Sequence, residues 1–367
     1  MSVSENQSRR PVNVLSGFLG SGKTTLLRRL LHSEAMANCA VLINEFGSVG
    51  LDHFLVEETG HDLVVLPNGC VCCALRGDLE KALLNLLQRE TDSNIRFDRV
   101  LIETTGVADP GPIAQSIIAS PILRYHFRVG ALATVVDAVH GLRQLSEHEV
   151  TRRQVAVADR IVVSKADIAP EGVIPELLES LAAINGLASI IVSHNDANEE
   201  ELKLSIDIES QEEKEVLSWF PRVSDQGSGE WGNADGAETE LQGLFRTRKM
   251  SMKHRNSPAH QYATLSVICE APVDWVAFGI WLSMLVHRYG ENILRVKGLM
   301  WVTDSDTPVA VHGVQTLIYP PTHLRAWPSA ERVSRLVLIG DLPPAEQIIA
   351  SLEAFSVSTA PFTVAND

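Results

Sequence analysis

The sequence has 367 residues, 45% of them apolar and 21% charged, a composition typical of a globular protein large enough for two cores. Its formal net charge is −15, and the stretch 196–240 alone carries 14 acidic and 3 basic residues. Because binding to a phosphate backbone requires clustered Lys and Arg, we expect no nucleic-acid partner. No segment reaches the ~18–20 apolar residues of a membrane span, and the polar N-terminus lacks a signal-peptide core, so we expect a cytoplasmic protein without membrane contacts.

Short apolar runs alternate with amphipathic stretches through the first two hundred residues. The runs predicted as strands are 12–16, 40–44, 99–103, 130–137, 160–164 and 189–192. Between them, 75–89 places its leucines on one helical face. Strands that are apolar on both faces belong in a mainly parallel sheet covered by helices on both sides. Such sheets bind ligands beyond the carboxyl ends of their strands, so the polar residues after each run are the candidates for a site.

The alternation stops near residue 197 and resumes near residue 259. Residues 198–258 are acidic and rich in Gly and Ser, which predicts a flexible linker between a domain of 1–197 and a second domain of 259–356. The second domain is predicted as small and α+β, and 357–367 as a tail. Its predicted strands are 262–269, 293–302, 309–319 and 334–340, and its predicted helices are 273–289 and 344–355.

A glycine-rich loop follows the first predicted strand and precedes an amphipathic helix. Its sequence, GFLGSGKTT, has the G-x-x-x-x-G-K-[ST] spacing of a phosphate-binding loop in the required strand–loop–helix setting. Successive backbone N–H groups can wrap phosphate oxygens, and the helix N-terminus adds a positive dipole end. We therefore expect Lys23 to reach the β- and γ-phosphates and Thr24 to bind Mg²⁺. The nucleotide-binding residues predicted in this loop are Gly17, Gly20, Ser21, Gly22, Lys23, Thr24 and Thr25.

The strand predicted at 99–103 ends in a carboxylate, Glu103, within the sequence ETTG. Near a γ-phosphate this carboxylate can hold Mg²⁺ through water or orient the attacking water, and Gly106 can approach the phosphate with its own N–H. Lys23 and Glu103 are therefore two catalytic candidates. No arginine finger or activating glutamine is evident, so we expect slow intrinsic turnover.

The strand predicted at 160–164 leads into SKAD, which is close to the N-K-x-D signature of guanine-binding proteins. A carboxylate at Asp167 can accept from both the N1–H and the 2-amino group of guanine, whereas adenine offers neither donor. The stem of Lys165 can cover the base, and Ser164 stands where the signature has Asn. In the alternative interpretation, Lys165 and Asp167 are solvated residues at the start of a surface helix.

Three of the five cysteines are crowded into the sequence LPNGCVCC, at a predicted turn before a helix. Thiolates at Cys70, Cys72 and Cys73 can surround one soft or borderline cation such as Zn²⁺, leaving a coordination position open for another donor. Two alternatives remain: Cys70 and Cys73 as a redox pair, or packing by small apolar residues. Cys39 and Cys269 lie in apolar runs and are predicted to be core thiols.

The strand predicted at 40–44 leads into NEFG, with Asp52 a few residues later. In related folds this loop lies beside the phosphate loop, so Glu45 can face a metal and Asp52 can face Mg²⁺ or its water. A segment touching both ions would let the γ-phosphate alter metal affinity. Glu45 is therefore predicted as a metal ligand and Asp52 as a third catalytic residue; the alternative for each is a carboxylate at the end of a strand.

Taken in order, GFLGSGKTT, NEFG, NGCVCC, ETTG and SKAD resemble the CobW family of P-loop GTPases of the SIMIBI class, over nearly the whole chain. DPGP after ETTG, and GLMW and HGVQ further on, strengthen the resemblance, which is greatest to the YjiA-like zinc-responsive group of that family. Ser48 stands where many relatives carry an acidic residue.

The resemblance implies Mg²⁺-dependent hydrolysis of GTP to GDP and phosphate, coupled to zinc binding by the three clustered cysteines and Glu45. It also implies a metallochaperone that delivers zinc to a client metalloprotein. Alternatives are a nickel or cobalt chaperone and, from another class, a redox-sensing GTPase with a regulatory Cys70–Cys73 disulfide. A homo-oligomer is compatible with the sequence, which does not specify one.

Overall fold

The structure, a computed structural model, describes residues 9–33, 36, 38–43, 63–65, 76–93, 96–193, 262–328, 332–355 and 357–364. None of the helices in these ranges is long and apolar enough to cross a membrane. The predicted linker, 198–258, lies outside the described residues.

The first domain is built on a seven-stranded sheet in which all neighbouring strands are parallel. Its order is β3-β2-β4-β1-β5-β6-β7, which places β1 between β4 and β5. The strands are β1 (Arg10–Gly17), β2 (Cys39–Ile43), β3 (Leu63–Val65), β4 (Arg99–Glu103), β5 (Phe127–Asp137), β6 (Arg160–Ser164) and β7 (Ser189–Val192).

Helices cover both faces of this sheet, as the apolar runs predicted. Their bounds are α1 (Lys23–Leu31), α2 (Arg76–Ser93), α3 (Gly111–Ala119), α4 (Pro121–His126), α5 (Gly141–Glu147), α6 (Glu149–Val157) and α7 (Val173–Ile184). Helix α1 packs Leu27 and Leu30 against one face, beside Leu15 of β1. On the opposite face, Val14 of β1 belongs to the core formed with α2, α3, α6 and α7. The prediction of a doubly covered parallel sheet is confirmed.

The second domain is an antiparallel sheet with two helices, which confirms the predicted α+β class. The sheet order is β11-β10-β9-β13-β8-β14, and β12 pairs with β10. The strands are β8 (Ala263–Cys269), β9 (Ile293–Met300), β10 (Val309–Val314), β11 (Leu317–Ile318), β12 (Thr322–His323), β13 (Ser334–Gly340) and β14 (Thr363–Val364), and the helices are α8 (Trp275–Tyr289) and α9 (Ala345–Ala354).

Two expectations for this domain are corrected by the structure. The single strand predicted at 309–319 is wrong, because the chain reverses at Gln315, whose φ is 53°, and forms the β10–β11 hairpin. Apolar residues stand on both sides of the turn, so their pattern did not indicate the reversal. The segment predicted as a tail instead buries Val357 and Phe362 and adds β14 beside β8.

A buried cluster of charges joins the two domains. Asp159, just before β6, forms ion pairs with Arg295 and, at 2.9 Å, with Lys297, two residues of β9 that point to the same side of the second sheet. Burial alone would raise the pKa of Asp159, but the charges of Arg295 and Lys297 outweigh it and hold the pKa well below its usual range. The neighbouring His312, opposite Lys297 on β10, is half-buried, and desolvation of its ring, with the nearby charge of Arg295, lowers its pKa to about 3. His312 is therefore a neutral part of the domain interface.

Replacing Asp159 with Ala should remove the counter-ion from two buried cations. We expect the free energy of unfolding, measured by urea denaturation, to fall by about 3–5 kcal/mol. The pKa of Asp159 is lower in the folded state than in the unfolded state, where it is about 3.9. Its contribution to the free energy of unfolding is therefore fully present above about pH 3.9 and is lost as the pH falls from that value through the folded-state pKa. The difference between wild type and variant should therefore shrink in acid.

Asp306→Ala is the matched control, because Asp306 pairs with Arg332 at 3.6 Å while its side chain is 99% exposed. We expect no measurable change in the free energy of unfolding of this variant. Equal losses in the two variants would contradict the role given to the buried cluster.

Candidate nucleotide-binding site

The glycine-rich loop leaves the carboxyl end of β1, in the middle of the sheet. Gly17 has a φ of 141°, and any β-carbon there would collide with the carbonyl oxygen of Val135 on β5. Gly22, with a φ of 93°, is the residue that turns the chain into α1. Both positions require glycine because of their backbone conformation, so the loop geometry depends on the residues that the motif specifies.

The side chain of Lys23 lies across this loop. Its Nζ donates to the carbonyl oxygens of Gly17, at 2.8 Å, and Phe18, at 3.0 Å. The hydroxyl of Ser21 is fully buried and has no hydrogen-bond partner among the described residues. A buried ammonium and a buried hydroxyl at a helix N-terminus are suited to an anionic ligand.

Thr24 and Glu103 meet at the base of the loop. The Thr24 hydroxyl donates to Oε1 of Glu103 at 2.7 Å, and Glu103 is only 5% exposed. Strand pairing creates this contact, because Glu103 at the end of β4 is in register with Leu15 of β1. A hydroxyl and a carboxylate are hard oxygen donors, so the pair fits the preferences of Mg²⁺.

Gly106 lies directly against the phosphate loop. A β-carbon at this position would be 2.6 Å from the backbone nitrogen of Leu19, so only glycine allows the ETTG segment to approach so closely. The segment after β4 is therefore in contact with the loop that the motif assigns to phosphate binding.

The SKAD segment reaches the same loop from β6. The Ser164 hydroxyl donates to the carbonyl oxygen of Ser21 at 2.6 Å. Lys165, with a φ of 57°, donates through Nζ to the carbonyl oxygen of Gly20 and to Oδ2 of Asp137, both at 2.7 Å. Asp167 lies in the following 3-10 turn and is exposed beside this contact. Ser164 thus provides a hydroxyl donor to the phosphate loop at the position where the signature has Asn.

Sequence reasoning missed three residues that support the site. Asp137 is the last residue of β5, so the rule that polar residues at strand ends are site candidates would have found it. Its Oδ1 accepts hydrogen bonds from the backbone N–H groups of Val139 and His140. The rings of His148 and Phe18 stack with 4.5 Å between centroids. Neither His148 nor Gln154, which is inside α6, belongs to a motif, so no sequence pattern indicated them.

The predicted zinc ligands and one catalytic candidate fall in a part of the chain that the structure does not describe. Cys70, Cys72, Cys73, Glu45 and Asp52 lie outside the described residues. Within the described part of the chain, no group of three His, Cys, Asp or Glu side chains is arranged to hold a metal ion.

The two cysteines that the structure describes are buried in the core. Burial raises the pKa of the Cys39 thiol to about 12, so Cys39 stays protonated at neutral pH. Cys269 is a buried free thiol in the second domain.

Two family models match the chain. The model of the CobW/HypB/UreG nucleotide-binding domain matches residues 11–192, and that of the cobalamin synthesis protein cobW C-terminal domain matches residues 262–356.

Two relatives and one solved structure are similar to this chain over most of their own length. A zinc chaperone, YjiA, of Escherichia coli is 33% identical over 93% of this chain and 96% of its own. A zinc-regulated GTPase metalloprotein activator 1 of Saccharomyces cerevisiae is 26% identical over 93% of this chain and 82% of its own. The crystal structure of Zn(II)-bound YjiA GTPase from E. coli aligns over 95% of this chain and 99% of its own, with a TM-score of 0.65 and 30% identity.

Replacing Asp167 with Asn tests the predicted recognition of guanine. Xanthine has a carbonyl at the position where guanine has its 2-amino group. The amide of Asn can donate a hydrogen bond to this carbonyl, whereas the carboxylate of Asp cannot. We expect GDP affinity to fall by about 100-fold or more and xanthosine diphosphate affinity to rise, as competition with a fluorescent nucleotide would measure. The exposed Glu171→Gln serves as the control. Unchanged preference for GDP in Asp167→Asn would show that Asp167 does not read the base.

Proposed function

Because this chain belongs to the CobW family of P-loop GTPases, we propose that it hydrolyses GTP and uses the nucleotide state to bind and deliver zinc to a client metalloprotein. The hydrogen bond from Thr24 to buried Glu103 carries the nucleotide half of this proposal, because it joins the phosphate loop to the ETTG segment. The zinc half rests on the cysteine motif and on the relatives named as zinc chaperones.

Nucleotide binding follows from how the loop residues are held. The backbone N–H groups between Gly17 and Thr25 would bind the phosphates, Lys23 would balance their charge, and Asp167 would select guanine over adenine. Thr24 and Glu103 would hold Mg²⁺, which supplies charge neutralisation for the leaving phosphate oxygens.

Hydrolysis requires a group that orients the attacking water near the γ-phosphate, and a carboxylate can do this. Glu103 fits this role because it is buried at the end of β4 and its Oε1 accepts from Thr24 at 2.7 Å. Gly106, packed on Leu19, would bring its N–H close to the same phosphate. Asp52 is proposed as a second carboxylate at this edge on the strength of its sequence position alone.

Zinc binding is proposed at Cys70, Cys72 and Cys73, with Glu45 as a further ligand. Glu45 follows the carboxyl end of β2, and the cysteines follow that of β3. Both strands are parallel to β4 and β1, so the two segments leave the sheet at the same edge as the phosphate loop. Neighbouring strands are about 4.8 Å apart, so the end of β3 lies about 10 Å from that of β4. The described ends of β2 and β3 therefore lie within about two strand spacings of Glu103, on the edge from which the phosphate loop leaves.

Two other functions use the same cysteines. A nickel or cobalt chaperone would bind a different cation through the same ligands, and Irving–Williams preferences alone do not separate these metals. In a redox-sensing GTPase, an external two-electron oxidant would instead convert the thiols of Cys70 and Cys73 to a disulfide, with the loss of two free thiols. Thiol counting in mildly oxidising buffer separates the redox sensor from the chaperone, because bound zinc protects thiolates.

Replacing both Cys72 and Cys73 with Ser should remove two of the thiolates while leaving the phosphate loop intact. We expect zinc affinity, measured by chelator competition, to fall by about 100-fold or more, with GDP affinity within about 2-fold of wild type.

Cys39→Ala is the matched control, because Cys39 is buried and its raised pKa keeps the thiol protonated. Its zinc affinity should equal that of the wild type. If the double variant retains tight zinc binding, the assignment of the metal site to this motif is wrong.

A further inference from the structure

The segment 106–111 lies between the phosphate loop and the second domain. At one end, Gly106 packs on Leu19 of the phosphate loop. At the other end, Asp109 accepts a hydrogen bond from the backbone N–H of Gly111, at 2.9 Å, where α3 begins. A displacement of this segment would therefore alter its contact with the phosphate loop.

The second domain contacts the far end of this segment through the side chain of Gln315. Gln315, at the turn of the β10–β11 hairpin, donates through Nε2 to Oδ2 of Asp109 at 2.7 Å. Its side chain also packs on α3, where a β-carbon at Gly111 would be 2.7 Å from Gln315 Oε1. The Gln315 backbone N–H donates to the carbonyl oxygen of Leu294 on β9, so the turn is anchored in the second sheet.

Helix α6 of the first domain supports the same segment from a third side. Gln154 is fully buried and donates through Nε2 to the carbonyl oxygens of Ala108, at 2.9 Å, and Gly106, at 3.3 Å. Arg153 lies 3.7 Å from Asp109 and donates to the carbonyl oxygen of Glu291 in the second domain. The segment is therefore fixed by side chains from both domains.

We propose that Gln315 is a positioning residue for GTP hydrolysis, supplied to the nucleotide site by the second domain. It acts through Asp109, whose orientation sets the segment 106–111 and so the approach of Gly106 to the γ-phosphate. The inference goes beyond zinc delivery and rests on the proposed GTP hydrolysis.

The chemistry of the contact allows it to be broken and then remade. Gln315→Glu places a carboxylate against the carboxylate of Asp109, which replaces a donor with a like charge. Adding Asp109→Asn restores a hydrogen bond with its direction reversed, because the amide introduced at position 109 can then donate to the new carboxylate. The oxygen of that amide can still accept from Gly111, so the start of α3 is preserved.

The experiment measures kcat and KM for Mg²⁺-dependent GTP hydrolysis in the full chain. We expect Gln315→Glu to lower kcat by about 10-fold or more, because it removes a hydrogen bond to a charged group. KM should change by about 2-fold or less. In the Asp109→Asn/Gln315→Glu double variant, kcat should return to within about 3-fold of wild type. Gln315→Ala removes the donor without adding a charge, so its kcat should lie between those of Gln315→Glu and the double variant.

Gln115→Ala is the matched control, because Gln115 of α3 donates to Thr316 of the same hairpin at 3.1 Å. That hydrogen bond crosses the domain interface but does not touch the segment 106–111, so kcat should stay at the wild-type value. Zinc affinity in the GDP form should be unchanged in every variant, which separates this proposal from that of the metal site.

Three results would overturn the proposal. Wild-type kcat in Gln315→Glu would show that the contact does not affect hydrolysis. An equal loss of kcat in Gln115→Ala would show that any disturbance of the domain interface slows hydrolysis, whether or not it affects Asp109. A double variant no faster than Gln315→Glu would show that Asp109 is not the residue through which Gln315 acts.

Discussion

The nucleotide site depends on the place of β1 between β4 and β5 in an all-parallel sheet. Register puts Leu15 opposite Glu103 and Gly17 opposite Val135, so the phosphate loop emerges beside the ends of both neighbours. A five-residue strand is about 17 Å long. If β4 were antiparallel to β1, its carboxyl end would therefore lie about 17 Å from the phosphate loop, at the opposite edge of the sheet. Strand direction therefore brings the hydroxyl of Thr24 to a carboxylate 79 residues away in the chain.

The two domains are held in one arrangement by buried charge rather than by apolar contact alone. Asp159, Arg295 and Lys297 would each be costly to bury alone, and the ion pairs that offset this cost form when the two domains come together. Such a cluster specifies orientation, because a small displacement would leave charges buried without their counter-ions. The β10–β11 hairpin belongs to the same sheet, so the cluster also fixes where Gln315 meets Asp109.

Predictions from the sequence were best where chemistry is local. The phosphate loop, Glu103 and the SKAD segment each lie at the end of an apolar run, so periodicity predicted the fold, and the rule that sites form at strand ends predicted that these segments meet at one edge of the sheet. Contacts between distant residues were not predictable in this way: Gln315 and Asp109 are 206 residues apart, and Gln154 sits in a helix without a motif. The hairpin at Gln315 was missed because a left-handed residue other than glycine leaves no compositional sign.

We propose that nucleotide state and zinc affinity are coupled across the carboxyl edge of the first sheet. The most direct test is zinc affinity by chelator competition, measured in parallel with GDP and with a non-hydrolysable GTP analogue. We predict at least tenfold tighter zinc binding with the analogue, which corresponds to about 1.4 kcal/mol of coupling. Equal affinities in the two nucleotide states would contradict the claim and leave a GTPase that carries zinc without regulating it.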